Sequence, residues 1–346
     1  MNTVTAVPPA AHPTAPGRPP FGSVLAETMA VATFRKGAWS AHVLKPTGTF
    51  EIHPAAHVLH YGSACFEGFK AYRWRDGTIR VFRMARHIER MQQSARILCM
   101  PEPDTAQLAA MILETIRRNR DAVPEAPGAL YLRPMLIGTM PNIGAAATPS
   151  DDAMLIVLAS PVWDYFAGGV KPLRILIDDA HTRTASHMGV AKTGGNYAAA
   201  MAPTLAARKR YQADQVLFAP GGQVQETGAA NFLLLRDGQV LTRSLDSSFL
   251  HGVTRDSLLV LARDLGYKTE ERVFDVAELL AWAKNGEAVL SGTAAVLSGI
   301  GAFIHADREI TVGNGEIGPN TRKLRAALVA VQQGDAADKH GWLTTV

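Results

Sequence analysis

A fold of mixed helices and strands in two domains, the α+β class, is what this sequence predicts, on three observations. Apolar side chains recur at helical spacing over 84–98, with strand-like runs around them. A Gly-Gly and a Pro within 162–172 interrupt helical and strand periods alike, and beyond that break strands closed by tight turns alternate with helices. At 346 residues the chain is too long for one small core. The expected organisation is a disordered proline-rich tail over 1–26, a small α+β domain over 27–160, an interdomain loop over 161–172 and a large domain over 173–346, with a cleft between the domains.

The opening "MNTVTAVPPAAHPTAPGRPP" has many prolines and lacks the apolar stretch of a secretory leader, hence the tail. In "MARHIERMQQSARIL", Met84, Ile88, Met91, Ala95 and Leu98 follow one another at +4, +3, +4 and +3, a single buried stripe of a helix packed on a sheet. Asp104 is placed as the N-cap of a second helix that turns Leu108, Met111, Ile112 and Ile116 inward. "ALYLRPMLIG" (129–138) reads as a strand with Tyr131 and Arg133 on one face and Leu130 and Leu132 on the other, so a polar pair lines a cavity. After the break, "QVLFA" runs into Pro220-Gly221-Gly222, and "NFLLL" turns at Asp237-Gly238 into "QVLT", a hairpin. Helices are expected at about 197–210, 254–265 and 275–284, the last with Asp275 and Glu278 at capping-box spacing.

Composition narrows the function classes. With 47% hydrophobic and 19% charged residues the chain resembles an ordinary globular protein. A net charge of +4 is spread along the sequence instead of gathered in runs, so no nucleic-acid partner is expected. Cys65 and Cys99 are too few for a disulfide scaffold, which points to a reducing, cytoplasmic home. Apolar runs such as "MLIVLA" (154–159) are too short for a membrane span.

The stretch "GVAKTGGNYAAA" (189–200) presents Lys192 between small residues. It is no phosphate-cradling P-loop, because Ala191 and Ser186 stand where that pattern needs glycine. A lysine followed by Gly-Gly can approach a flat ring closely, as Schiff-base capture of an aldehyde cofactor requires, and the ring then needs an acid to keep its nitrogen protonated. Glu226 in "VQETGAANF" is the candidate acid, although read alone it is more readily a turn glutamate facing solvent. The phosphate of such a cofactor fits the start of the helix after Gly252 and Val253, where Thr254 is placed as N-cap, and the turn at Gly292, Thr293 and Ala294 in "VLSGTAA" offers further amides. Arg83, Arg86 and Arg90 flank the Met84 stripe, and periodicity alone does not choose among them or exclude a solvated basic face. "GNGEIG" (313–318) matches G-x-G-x-x-G but has too little chain after it for a βαβ unit. The histidines of "HPAAHVLH" (53–60) lack H-E-x-x-H, and Pro54 with the following "YGSACFEG" argues for loop or strand there; no metal is expected.

Seven stretches in order, "LHYGSACFEGFKAY", "HIERM", "LYLRP", "AKTGGNY", "ETGAANF", "LHGVTRDS" and "SGTAA", make residues 27–346 resemble the branched-chain amino-acid aminotransferases, of the class IV pyridoxal-phosphate (PLP) enzymes. The resemblance implies the two-domain type IV fold, with PLP in the interdomain cleft and 173–346 as the PLP-binding domain. It implies that Lys192 is the catalytic residue that carries the cofactor and then shuttles the proton. Tyr197 would contact the cofactor's phenolic oxygen, Glu226 its ring nitrogen and Leu250 its ring face; Arg90, Val253, Thr254 and Thr293 would hold its phosphate. Tyr131 and the Thr293–Ala294 turn would take the substrate α-carboxylate, Arg133 the second carboxylate of glutamate, and Phe66, Tyr165 and Tyr61 the side-chain pocket. The implied partners are small-molecule amino acids and 2-oxo acids, and further copies of the chain in a homodimer or higher homo-oligomer. The implied reaction is ping-pong exchange between L-leucine, L-isoleucine or L-valine and 2-oxoglutarate; a D-amino-acid or amine transaminase and an aminodeoxychorismate lyase share the fold. Lys70, His251 and "AVLSGIG" depart from the commoner family residues at their positions.

Overall fold

The structure, a computed structural model, describes residues 19–163 and 171–346. The first half folds as β1 (Thr28–Arg35), β2 (Ala38–Trp39), β3 (Val43–Pro46), α1 (His57–Tyr61), β4 (Ala64–Phe66), β5 (Phe69–Arg73), β6 (Ile79–Phe82), α2 (Met84–Ile97), α3 (Thr105–Arg118), β7 (Ala129–Gly138) and β8 (Ala153–Val162). The second half contains β9 (Leu173–Asp178), α4 (Gly194–Tyr211), β10 (Gln215–Phe218), β11 (Asn231–Arg236), β12 (Gln239–Thr242), α5 (Val253–Asp264), β13 (Lys268–Glu271), α6 (Val276–Ala283), β14 (Glu287–Gly292), β15 (Val296–His305), β16 (Arg308–Thr311), α7 (Pro319–Gln333) and β17 (Leu343–Thr345).

Two sheets result, so the fold is α+β as expected. The first has nine strands along the path β17-β6-β5-β7-β8-β1-β2, with β3 beside β1 and β4 beside β7. The second has eight along β10-β9-β15-β14-β11-β12-β13, with β16 beside β15. The stripe of α2 and the inward residues of α3 do what their spacing dictates: Ile88, Met91, Leu108, Met111 and Ile112 join Leu130 and Leu132 of β7 in one buried cluster. A second cluster runs between the sheets, with Tyr72, Phe82 and Tyr131 packed among Leu233, Val289 and Leu297 and against Leu258 and Leu324 of α5 and α7.

Local signals worked where the chemistry was local. Asp104 accepts from the Gln107 amide at 2.8 Å, and Asp275 from the Glu278 amide at 2.8 Å, so both cap their helices. Glu278 does not return the bond; its carboxylate goes to Arg272. The Asp237-Gly238 hairpin pairs Arg236 with Gln239, with Gly238 at φ +70°.

Several expectations need correction. Thr254 is not the cap of α5: Gly252 is, and Thr254 sits inside the first turn. The helix expected from 197 starts at Gly194. The 53–60 stretch ends in a short helix, α1, because the His57 ring is anchored to Ser63 Oγ and to two loop carbonyls, those of Ala145 and Thr148. Residues 1–18 of the expected tail lie outside the described residues, whereas 19–26 pack on the first sheet: the Ala26 amide donates to Ala159 O and Ser160 Oγ donates to Val24 O. At the other terminus β17 pairs with β6, so the chain returns to the first sheet. "GNGEIG" closes on Glu287, whose carboxylate accepts the Asn320 and Thr321 amides at 2.8 Å each. A side chain thus already fills the start of α7 where a dinucleotide phosphate would sit.

Candidate active site

A cavity of about 400 Å³ opens between the sheets. It brings together twelve expected residues: Phe66, Arg90, Tyr131, Arg133, Lys192, Tyr197, Glu226, Leu250, Val253, Thr254, Thr293 and Ala294. Tyr61 is not among them; it is 37% exposed and its hydroxyl donates to Ile143 O. Tyr165 lies outside the described residues.

Lys192 reaches the cavity because its backbone is held from two elements. Its amide donates to Ser94 Oγ of α2 at 2.9 Å, and its carbonyl accepts from the Phe66 amide at 3.0 Å. The side chain then turns inward, with Nζ 2.7 Å from Tyr197 Oη in the first turn of α4 and 5.0 Å from the Phe66 ring centre. A β-carbon added at Gly194 or Gly195 would meet nothing within 4 Å, so packing in this chain does not demand the glycine pair. Space beside Lys192 is left open.

Glu226 is no surface turn residue. It is 2% exposed, Oε1 accepts the Leu250 amide at 2.9 Å, and Oε2 accepts Asn231 Nδ2 at 2.7 Å. Arg183 Nη1 lies 2.7 Å from Oε1, but not in hydrogen-bonding geometry; its Nη1 and Nε are buried without a bonded partner. Burial pushes the Glu226 carboxyl up to about 7, against the opposing pull of Arg183, the Leu250 amide, Lys192 and Arg90. A cation brought against such a carboxyl would favour its ionised form.

At the other end, the three arginines separate. Arg83 is a strut, with Nη2 2.7 Å from Asp256 and Nη1 donating to Ser257 of α5 at 3.1 Å. Arg86 is paired with Glu89 at the surface. Arg90 is buried, donating through Nη1 to His251 O at 3.0 Å beside the start of α5. No side chain caps α5, so its first amides are available to an anion.

The third wall joins the sheets. Lys70 Nζ donates to Ala294 O at 3.0 Å and Thr293 Oγ donates to Gly68 O at 2.9 Å, fastening the 292–295 turn to the first sheet. Tyr131 and Arg133 share a face as their alternation required, with Arg133 Nη2 donating to Tyr131 Oη at 2.9 Å.

These groups fit an aromatic aldehyde phosphate: a lysine amine with a phenol at one edge, a buried acid of raised pKa, and a guanidinium with uncapped helix amides for the phosphate. Among the described residues no group of His, Cys, Asp and Glu could hold a metal ion. Sequence reasoning missed Phe21, Arg183 and Asn231, which also line the cavity. Phe21 fell in the expected tail, nothing in "HTRTASHMG" distinguishes Arg183, and Asn231 was quoted within a motif without a role.

The comparisons with known proteins agree with this geometry. The model of the amino-transferase class IV family matches residues 64–303. The branched-chain-amino-acid aminotransferase of Mycolicibacterium smegmatis is 38% identical over 94% of this chain and 91% of its own length. A branched-chain aminotransferase from Thermoproteus uzoniensis, solved with norvaline, superposes with a TM-score of 0.75 at 28% identity, covering 92% of this chain and 99% of that one. The T.th. branched-chain amino acid aminotransferase, solved with N-(5'-phosphopyridoxyl)-L-glutamate, superposes with a TM-score of 0.73 at 28% identity, covering 90% and 97%. With lysine, phenol, acid and arginine converging on one cavity and the class IV model spanning most of the chain, this protein belongs to the class IV aminotransferase family and is a transaminase.

Proposed function

We propose that the protein transfers the amino group between L-leucine, L-isoleucine or L-valine and 2-oxoglutarate in ping-pong fashion, with pyridoxal phosphate as cofactor. The single observation that carries the reading is Lys192 Nζ, 2.7 Å from Tyr197 Oη in a cavity that ends at the buried Glu226. The names of the M. smegmatis relative and of the T. uzoniensis and T.th. structures support the substrate class, and the phosphopyridoxyl-glutamate complex supports both cofactor and co-substrate.

Lys192 would carry the cofactor, with Tyr197 at its phenolic oxygen, Glu226 at its ring nitrogen and Leu250 against its face. Arg90, Val253, Thr254 and Thr293 would hold the phosphate. When bound, the group supplies a sink for the negative charge left on a substrate's α-carbon. Lys192, as a free amine, would move the α-proton, with Tyr197 Oη fixing its position. Glu226 gives up its own proton once a cation lies against it, and Arg183 beside it favours the ionised form.

Tyr131 and the turn amides at Thr293–Ala294 would receive the α-carboxylate, and Arg133 the second carboxylate of glutamate. Phe66 offers an apolar wall for a branched side chain, and Tyr165 is proposed to complete it. The reading includes a homodimer, supported by the exposed apolar face of α4, where Met201 is 58% and Leu205 54% exposed, and by Ile143, 67% exposed. Tyr61 beside Ile143 is then placed to serve a neighbouring copy. A cytoplasmic location is supported by Cys65 and Cys99, both free. No described helix is long and apolar enough to cross a membrane.

An absorbance spectrum of purified protein, taken before and after L-leucine and then 2-oxoglutarate, tests the reading. The near-visible band of lysine-bound cofactor should bleach with the amino acid and return with the keto acid. A band that answers only a D-amino acid or an amine would replace the substrate class, and release of pyruvate from aminodeoxychorismate would replace the reaction.

A further inference from the structure

Glu67 is 0% exposed and does not itself line the cavity, yet it lies between Phe66 and Gly68, which do. Its carboxylate is fully subscribed. Oε1 accepts Arg90 Nε at 2.6 Å, and Oε2 accepts Arg90 Nη2 at 2.9 Å, His87 Nδ1 at 2.7 Å and the Gly68 amide at 3.2 Å. His87 is itself fixed by stacking on Phe69, with ring centres 4.8 Å apart. Burial alone would raise the Glu67 carboxyl, but Arg90 and His87 hold it far below the usual carboxylate range, which favours its ionised form.

A guanidinium is a rigid planar fork, and gripping its Nε–Nη2 edge decides where the remaining edge points. That remaining edge is Nη1, which donates to His251 O, next to the uncapped start of α5. We propose that Glu67 is a positioning residue for the cofactor phosphate: by occupying one edge of Arg90 it presents the other to the site formed with Val253 and Thr254. Stability alone is a poor account of the pair, because buried ion pairs are often no better than apolar packing. The same network reaches Lys192, since Arg90 O accepts Ser94 Oγ at 3.0 Å and Ser94 Oγ accepts the Lys192 amide.

The inference rests on pyridoxal phosphate being the cofactor, and wild-type protein tests that first. Apoprotein should bind pyridoxal phosphate far more tightly than pyridoxal, which lacks the phosphate; binding neither would refute the cofactor reading instead. Glu67→Gln keeps the shape without the charge, and Glu67→Asp keeps the charge on a shorter arm. Each should cut the ratio of the two affinities about tenfold while pyridoxal affinity is retained. An unchanged ratio in either folded variant, or equal loss for both ligands, overturns the proposal and leaves Glu67 a purely structural residue. If neither variant folds, arginine-labelled wild-type apoprotein decides by NMR. Separate Nη1 and Nη2 signals for Arg90 support a guanidinium set before the cofactor arrives, and averaged signals overturn it.

Discussion

Two buried glutamates flank the site, Glu226 in the cavity wall and Glu67 behind Arg90, both beside an arginine, and their carboxyls are shifted in opposite directions. Glu67 has four donors and is held low; Glu226 has two, with Arg183 close but misaligned, and is pushed up to about 7. The difference teaches that burial raises a buried acid unless the charges and hydrogen bonds beside it overcome that push, as Arg90 and His87 do for Glu67. The Arg90 end is finished within the protein, while at the acid end Arg183 lies close to Glu226 without bonding to it.

Lys192 lies between the two ends, and its loss should have the largest effect. Lys192→Ala is expected to lower turnover by about 10⁴-fold, while pyridoxal phosphate still binds through the finished end in a form removable by dialysis. Near-normal turnover in that variant would refute the mechanism.

The acid end is sharpened by pH. Because the Glu226 carboxyl is raised in the folded protein, its proton is kept there between about pH 4.5 and pH 7 but lost from the unfolded chain. Stability from this group is therefore full at low pH and falls as pH rises through that window. Apoprotein of Glu226→Gln, which cannot titrate, should gain on wild type by up to about 3 kcal/mol between pH 5 and pH 8 in urea unfolding. Parallel curves would mean that Glu226 is not raised and that the contrast with Glu67 is false.

A smaller effect is expected where the two ends share a support. A β-carbon at Gly252 would lie 1.8 Å from Asn231 Oδ1, the side chain that donates to Glu226. Gly252→Ala should cost about 1–3 kcal/mol in thermal or chemical unfolding, and a neutral outcome would show that Asn231 is free to move. Thr254→Ala should be smallest, within about 0.5 kcal/mol, because Thr254 is not the cap. A loss of the size expected for a missing cap would restore that role.

Legibility tracked sequence distance. The α2 stripe, the caps at Asp104 and Asp275, the Asp237-Gly238 turn and the shared face of Tyr131 and Arg133 are consequences of a few adjacent residues, and each is found in the structure. Thr254 was misplaced by two positions because glycine can cap a helix as well as threonine. Phe21 was assigned to the tail by its proline-rich neighbours, although it meets Tyr131 edge-on with ring centres 5.0 Å apart.

The sequence by itself determined the α+β class, the family resemblance and twelve residues of the cavity, because helix and strand periods and ordered motifs are written in neighbouring positions. Only the tertiary structure decided that Glu226 is buried beside Arg183, that Glu67 turns Arg90, and that Lys70 ties the Thr293–Ala294 turn to the opposite sheet. Those pairs are 43, 23 and 224 residues apart. The charge state of a group is set by whatever the fold brings beside it, and no local pattern encodes that neighbour.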